Sequence, residues 1–296
     1  MPEGFTRQDR FLGMEATYAE AEWVLMGVPF DTTASFQPGS RFGPPRIREA
    51  SFALETYSLA AACDLTELSL CDLGDLELPF GNVAKSLDRI RQAAEGLLAD
   101  GKRFVAVGGE HLITLPLVQA VVARYPDLVV VHWDAHADLR DQYLGETLSH
   151  ATVLRRVAET LRAGHLYQFG IRSATREEVD WACRHHHFFP HEVRRPLEAC
   201  RPEWQGRPLY VTIDVDVIDP AFMPGTGTPE PGGITAQEAL AALASFRGLD
   251  VVALDVVETM PAHDLSQRSS ILAAKLVREA LAWIAGGTPK EGGARG

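Results

Sequence analysis

Cysteine is scarce in this chain. The four present, Cys63, Cys71, Cys183 and Cys200, form no CxxC pair. So few, so spaced, in 296 residues argue against a disulfide framework and for buried free thiols. Positive charge is also in deficit: 28 lysines and arginines face 40 aspartates and glutamates, for a formal net charge of −12. That balance argues against a nucleic-acid footprint or an anionic membrane as partner. It is compatible with a cationic substrate. No stretch approaches the ~20 apolar residues of a membrane span, and no basic start leads into an apolar core as in a secretory signal. A cytoplasmic protein is expected.

What is present is an ordinary globular composition, 46% hydrophobic and 23% charged. Apolar runs alternate with segments of helical period. Strands are expected at 23–28, 68–73, 104–107, 128–131, 166–171, 208–213 and 251–256, with a short one over Phe188 and Phe189. Helices are expected from Ile47 to about Tyr57, then from Asn82, whose side chain can cap, to Gly101. Others follow over 112–124, 149–163, 175–183, 236–246 after a Thr235 cap, and 271–284. Strands apolar on successive residues suit a parallel sheet covered on both faces, although the βα repetition could also close into a barrel. With no linker visible, one domain is expected over 1–296, its core about 23–285 and its 286–296 tail disordered.

The chain is organised around VVVHWDAHADLR, residues 129–140. Asp134, His136 and Asp138 follow the apolar run at once, where an open α/β sheet places its ligand crevice. His111, in GGEH, and Asp214 and Asp216, in DVD, also follow strands and so fall at the same edge. Four aspartates and two histidines are an oxygen-rich set suited to Mn²⁺ and, less well, to Zn²⁺, Fe²⁺, Co²⁺ or Ni²⁺. Packed together without cations, the carboxylates would repel and their pKa values would rise. Two divalent ions would remove that penalty and supply hydroxide near neutral pH.

GGEH, DAHADLR and DVDVIDPAFMPGTGTPEPGG resemble the signature blocks of the ureohydrolases, the arginase–agmatinase family. So do GVPFDTTASFQPGSRFGPPRIREAS, LSHATVLRR, QFGIRS and LDVVETMP. The resemblance implies a three-layer α/β/α fold with a mainly parallel eight-stranded sheet and two Mn²⁺ per subunit. One ion would be held by His111, Asp134, Asp138 and Asp214, the other by Asp134, His136, Asp214 and Asp216. A hydroxide between them would attack the guanidinium carbon, releasing urea and an amine. His150 matches the family's proton-shuttling histidine, and Glu258 its guanidinium-binding carboxylate. The family also implies a homo-oligomer, trimer or hexamer, which no residue here derives.

Within the family the arginine-recognition set is missing. The loop RDQYLGETLSH has no asparagine, and Ser173, Ala174 and Thr175 follow FGIR with no aspartate. PGTGTPEPGG and SHATV look most similar to agmatinases, so the expected substrate is agmatine, yielding putrescine. Glu230 is a candidate partner for its ammonium. N-aminopropylagmatine, guanidinobutyrate and arginine are the alternative substrates; a non-catalytic binding homologue and a deacetylase of related fold are the alternative classes. Asp31 and Arg41 read as structural or as lining the site mouth. The run His185-His186-His187, near Cys183 and His191, fits no standard zinc spacing and reads as solvated or at an interface.

Overall fold

Buried β-branched residues set the architecture. The computed structural model describes residues 2–6 and 9–286. In chain order the strands are β1 (Phe5–Thr6), β2 (Trp23–Val28), β3 (Tyr57–Ser58), β4 (Cys63–Asp64), β5 (Leu70–Leu76), β6 (Arg103–Gly108), β7 (Val129–Trp133), β8 (Leu166–Ile171), β9 (His187–Pro190), β10 (Pro208–Asp214) and β11 (Asp250–Val257). The α-helices are α1 (Gly43–Ser51), α2 (Val83–Ala99), α3 (Thr114–Arg124), α4 (Val153–Thr160), α5 (Arg176–His185), α6 (Arg194–Cys200), α7 (Ala236–Ala242) and α8 (Arg268–Ile284).

Nine strands form one sheet in the order β1-β5-β2-β6-β11-β10-β7-β8-β9. Eight of them run parallel, and β1 adds an antiparallel edge of two residues. The count is therefore one above the expected eight, because a two-residue pairing leaves no apolar pattern to read. The edges do not pair with each other, so the barrel alternative is excluded.

Alternate residues of one strand feed two separate cores. In β7, Val129, Val131 and Trp133 join the core under α1, α6, α7 and α8, whereas Val130 joins the core under α2, α3, α4 and α5. That is the three-layer arrangement, and it explains why the run is apolar without alternation.

Local signals act where they were read. Asn82 Oδ1 accepts from Lys85 N at 3.0 Å, and Thr235 closes a capping box with Glu238. Two boundaries differ. Helix α1 stops at Ser51, well short of Tyr57, since residues 57–58 pair with 63–64 instead. The 149–163 segment begins with a 3-10 turn at His150–Thr152 and is helical only over α4. Of the tail expected over 286–296, residues 287–296 lie outside the described residues.

Chain order leaves a gap that later strands fill. After β6 the chain crosses to β7 and builds outward through β8 and β9, then returns to lay β10 and β11 between β6 and β7. Four adjacent strands, β6, β11, β10 and β7, thus end side by side. The residues at or just beyond their ends are His111, Glu258, Asp214 and Asp216, and Asp134.

Candidate metal centre

The chain curls as it leaves β7. Asp134 Oδ1 accepts from His136 N at 2.5 Å, and Asp138 takes a left-handed backbone, φ +53°, tolerated by aspartate better than by most residues. The curl is held from outside: Ala135 O accepts from Arg172 N and Ser173 N, and Ala135 N donates to Asp216 Oδ1 at 3.0 Å. Asp134, His136 and Asp138 thereby turn toward one another instead of alternating.

All six expected ligands lie together. His111 Nδ1 is 3.1 Å from Asp134 Oδ2, 3.2 Å from Asp138 Oδ2 and 3.3 Å from Asp214 Oδ2. The nitrogen is buried, yet it has no hydrogen-bond partner. His136 Nδ1 stands 2.9 Å from Asp216 Oδ2 and 3.5 Å from Asp134 Oδ1. Asp134 therefore faces two sets of donors, one with each oxygen. Asp214 Oδ1 accepts from Asp216 N at 2.9 Å, which leaves its Oδ2 on the His111 side.

The electrostatics suit cations. Burial, then the charge of Asp134, pushes Asp138 up to about 7. Burial, then Asp216 and Asp134, raises Asp214 far above the ordinary carboxylate range. Burial opposes ionisation of Asp134 too, but contacts with His111, His132 and His136 hold it well below. One proton on His111 Nδ1 cannot serve three acceptors; a metal ion at the common point can. The donor set and the orphaned nitrogen both fit such an ion.

Glu258 follows β11 with φ +64°, a strained backbone for a residue with a side chain. Its Oε1 accepts from His111 N at 2.8 Å. Burial, then the charge of Glu110, raises its pKa well above the ordinary value. His150 stands across the cavity, its Nε2 3.1 Å from Ser35 Oγ and its backbone N donating to Thr33 Oγ1 at 3.1 Å. Burial pushes its pKa down, which favours the neutral imidazole. Glu110, pushed up to about 8 by burial, accepts from Thr33 N and Oγ1, each at 2.8 Å. The Asp31–Arg41 ion pair and Asp31 Oδ2, which accepts from Gly39 N, brace the same loop. Neither residue lines the cavity, so the pair acts by holding the loop that carries Ser35.

The cavity over these groups has a volume of about 270 Å³ and is lined by Arg140, Tyr143, His150, Ser173, Thr228 and Glu258, among others. Glu230 does not line it. Its carbonyl accepts from Arg172, and Thr228 of the same loop faces the site, donating to Asp216 Oδ2 at 3.3 Å. The histidine triplet diverges: His185 stacks on Trp181, His187 stacks on Tyr167, and His186 turns inward. Among the described residues it forms no cluster of metal-ligand spacing.

A family model described as the arginase family matches residues 21–283. The chain belongs to the arginase family. It is 45% identical over 274 residues to the agmatinase of Bacillus subtilis (strain 168), covering 92% of this chain and 94% of that one. To the guanidinobutyrase of Pseudomonas aeruginosa it is 35% identical, covering 89% and 86%. The crystal structure of the agmatine ureohydrolase of Thermoplasma volcanium aligns with a TM-score of 0.85 at 32% identity, covering 94% and 95%. Membership in the arginase family makes this chain a ureohydrolase, acting on guanidino groups.

Sequence reasoning missed four participants around this arginase-family site: Thr33, Ser35, Glu110 and His132. The last is wholly buried in β7, and its Nε2 is 2.9 Å from Asp134 Oδ2. Its signal was present in the sequence as a histidine interrupting an apolar strand.

Proposed function

We propose that the protein hydrolyses agmatine to putrescine and urea. His111, Asp134, Asp138 and Asp214 would hold one Mn²⁺, and Asp134, His136, Asp214 and Asp216 the other. The observation that carries this reading is the buried His111 Nδ1, ringed by three carboxylate oxygens and paired with none. Metal ions bound there would lower the pKa of a shared water and supply a nucleophile at neutral pH.

The chain's own residues do the rest. Glu258 keeps Oε2 free while His111 N occupies Oε1. A substrate guanidinium beside it restores the carboxylate's charge and forms a charge-assisted pair that fixes the planar carbon in place. His150, neutral at rest with its Nε2 3.1 Å from Ser35 Oγ, is suited to accept the proton given up by the attacking water and then to pass it to the leaving amine. The rim residues Ser173, Ala174 and Thr175 bring no acid to hold an α-amine, and Glu178, which does line the cavity, already accepts from Leu139 N and Thr175 N, which disfavours arginine.

A second reading rests on Arg140, which lines the same cavity and could hold the carboxylate of a guanidino acid. Its guanidinium lies over the Tyr143 ring at 5.1 Å and 4.0 Å from Glu178, so it already has partners. The decisive experiment is initial-rate urea release with Mn²⁺ on agmatine, N-aminopropylagmatine, guanidinobutyrate and arginine. Agmatine is expected to give the highest kcat/KM. A higher value for guanidinobutyrate supports the Arg140 reading, and a higher value for arginine overturns both.

The proposal includes a cytoplasmic homo-oligomer, trimer or hexamer. Phe42 and Leu265, 60% and 96% exposed beside Pro45 and Pro261, support it as uncovered apolar surface. A monomer in sedimentation equilibrium would count against it. Among the described residues no helix is long and apolar enough to cross a membrane.

A further inference from the structure

Four polar residues interrupt the apolar strands beneath the site, and the sheet register sets them side by side. Asp255 of β11 pairs with Thr212 of β10, Thr212 with His132 of β7, and His132 with Gln168 of β8. Each is 0% exposed. Buried polar groups persist where their hydrogen bonds are made, so the row can be read bond by bond.

Gln168 sets the order of the bonds. Its side-chain nitrogen is 2.7 Å from Ala137 O, and a carbonyl oxygen only accepts, so the atom there is the NH₂ group. The second N–H points to His132 Nδ1 at 3.0 Å, which must then carry no proton. Gln168 Oε1 is left to accept from His186 Nε2–H at 2.8 Å. His186 Nδ1 has no hydrogen-bond partner, as a neutral Nε2–H ring would leave it. Neutral His132 carries its proton on Nε2, and that N–H donates to Asp134 Oδ2 at 2.9 Å. His132 is close enough to be counted with His111 and Asp134 as a ligand. The bond order removes it from the ligand set, because its one nitrogen near Asp134 is a donor.

The consequence falls on Asp134. A carboxylate offers about four lone-pair positions, two on each oxygen. His132 Nε2–H takes one on Oδ2, and His136 N–H takes one on Oδ1. One lone pair remains on each oxygen, Oδ2 toward His111 and Oδ1 toward His136. We propose that His132, locked in a single tautomer by Gln168 and His186, is a positioning residue that turns Asp134 so that each oxygen keeps one lone pair for a divalent cation. On the other half of the row His111 Nε2 is 3.0 Å from Thr212 Oγ1, which is linked through Thr114 Oγ1 at 3.4 Å to Asp255 Oδ2, where Thr114 donates at 2.8 Å. The proposal gives the inward-turned member of the histidine triplet a task, and it rests on the reading of Asp134 as a ligand shared by two cations.

Two measurements test it, and neither uses a guanidino substrate. Neutron diffraction from manganese-loaded crystals of the native chain is expected to show deuterium on His132 Nε2 and none on Nδ1. Manganese dissociation constants, from the electron paramagnetic resonance of free Mn²⁺, are expected to weaken about 10–100-fold in His132→Phe, the usual cost of removing an outer hydrogen-bond partner. His132→Gln, whose amide N–H reaches a similar position, should regain most of the loss, which a packing defect alone would not allow. Deuterium on Nδ1, or an affinity within twofold of native in a folded His132→Phe, overturns the proposal. Should His132→Phe fail to fold, the neutron map of the native chain decides. If agmatine proves not to be the substrate while these shifts appear, the functional reading fails and this one stands.

Discussion

Gly109→Ala puts the sheet-edge geometry to its most direct test. The glycine lies between β6 and His111. A Cβ built on it would stand 2.0 Å from Phe30 O and 2.7 Å from Phe30 N. Ordinary contact begins near 3.4 Å, so the backbones must separate by about 3.4 − 2.0 = 1.4 Å. No side chain can swing aside to supply that room, since the colliding atoms are main chain. The same peptide ties three strand ends: Gly109 N donates to Val28 O, Glu110 N to Phe30 O, and Glu258 N to Gly109 O. Overpacking of this kind costs about 1–3 kcal/mol, and the main-chain clash puts it at the upper end. A displacement of ~1 Å in a positioned catalytic group costs on the order of 100-fold in rate. The expectation is thus a lower urea denaturation midpoint together with a ~100-fold lower kcat/KM on agmatine. Gly96→Ala is the control: a Cβ there, within α2, meets nothing within 4 Å. It should stabilise by about 0.4–1 kcal/mol and leave turnover alone. Native stability and native turnover in Gly109→Ala would refute the reasoning.

Glu258→Gln keeps the shape but removes the charge that would hold a guanidinium. Losing charge-assisted bonds worth about 3 kcal/mol lowers kcat/KM about 100-fold, with manganese content unchanged by elemental analysis. Arg48→Met removes the buried guanidinium that joins Asp72 and Asp75, leaving their charges without the cation it supplied, and should cost about 3–5 kcal/mol in chemical denaturation. A loss below about 1 kcal/mol would show the pair to behave like an exposed one. Asp264 gives a pH test. Burial raises its pKa, but four donors, the N and Oγ of Ser266 and of Ser269, outweigh that and hold it at about 2. A depressed folded-state pKa means stabilisation fully present above the unfolded value near ~3.9 and lost as pH falls toward 2. The gap in denaturation midpoint between native and Asp264→Asn should therefore be constant from pH 7 to about 5 and narrow below 4; a gap that widens with acid contradicts the assignment.

What the sequence made legible was short-range or repetitive. Val129, Val130 and Val131 announce a two-faced strand because both neighbouring layers are apolar, and Asn82 and Thr235 announce helix starts because a cap acts over three residues. The six acid and imidazole groups were legible because they cluster at the ends of three strands, β6, β7 and β10, and parallel strands end at one edge. The identity of the strands that meet was not, since β10 and β11 enter the gap between β6 and β7 only after the rest of the sheet is laid. Helix α6 and the β1 edge escaped for lack of length.

The deeper omission concerns direction. A list of residue types places His111, His132 and His136 on equal terms beside Asp134, yet each presents a different face to it. His111 offers a ring nitrogen with no hydrogen-bond partner, His136 a backbone N–H and a ring, and His132 a ring N–H whose proton is fixed from 36 residues away by Gln168. Likewise His150 and Ser35 meet across 115 residues. Polar residues one or two places before the strand ends, His132, Thr212 and Asp255, did carry a local mark: an apolar strand interior rarely keeps such a group without a partner. A polar residue at a fixed depth below an active edge is thus readable as a support for the residue above it, even before the partner is known. Which lone pair it leaves open follows only from the bonds.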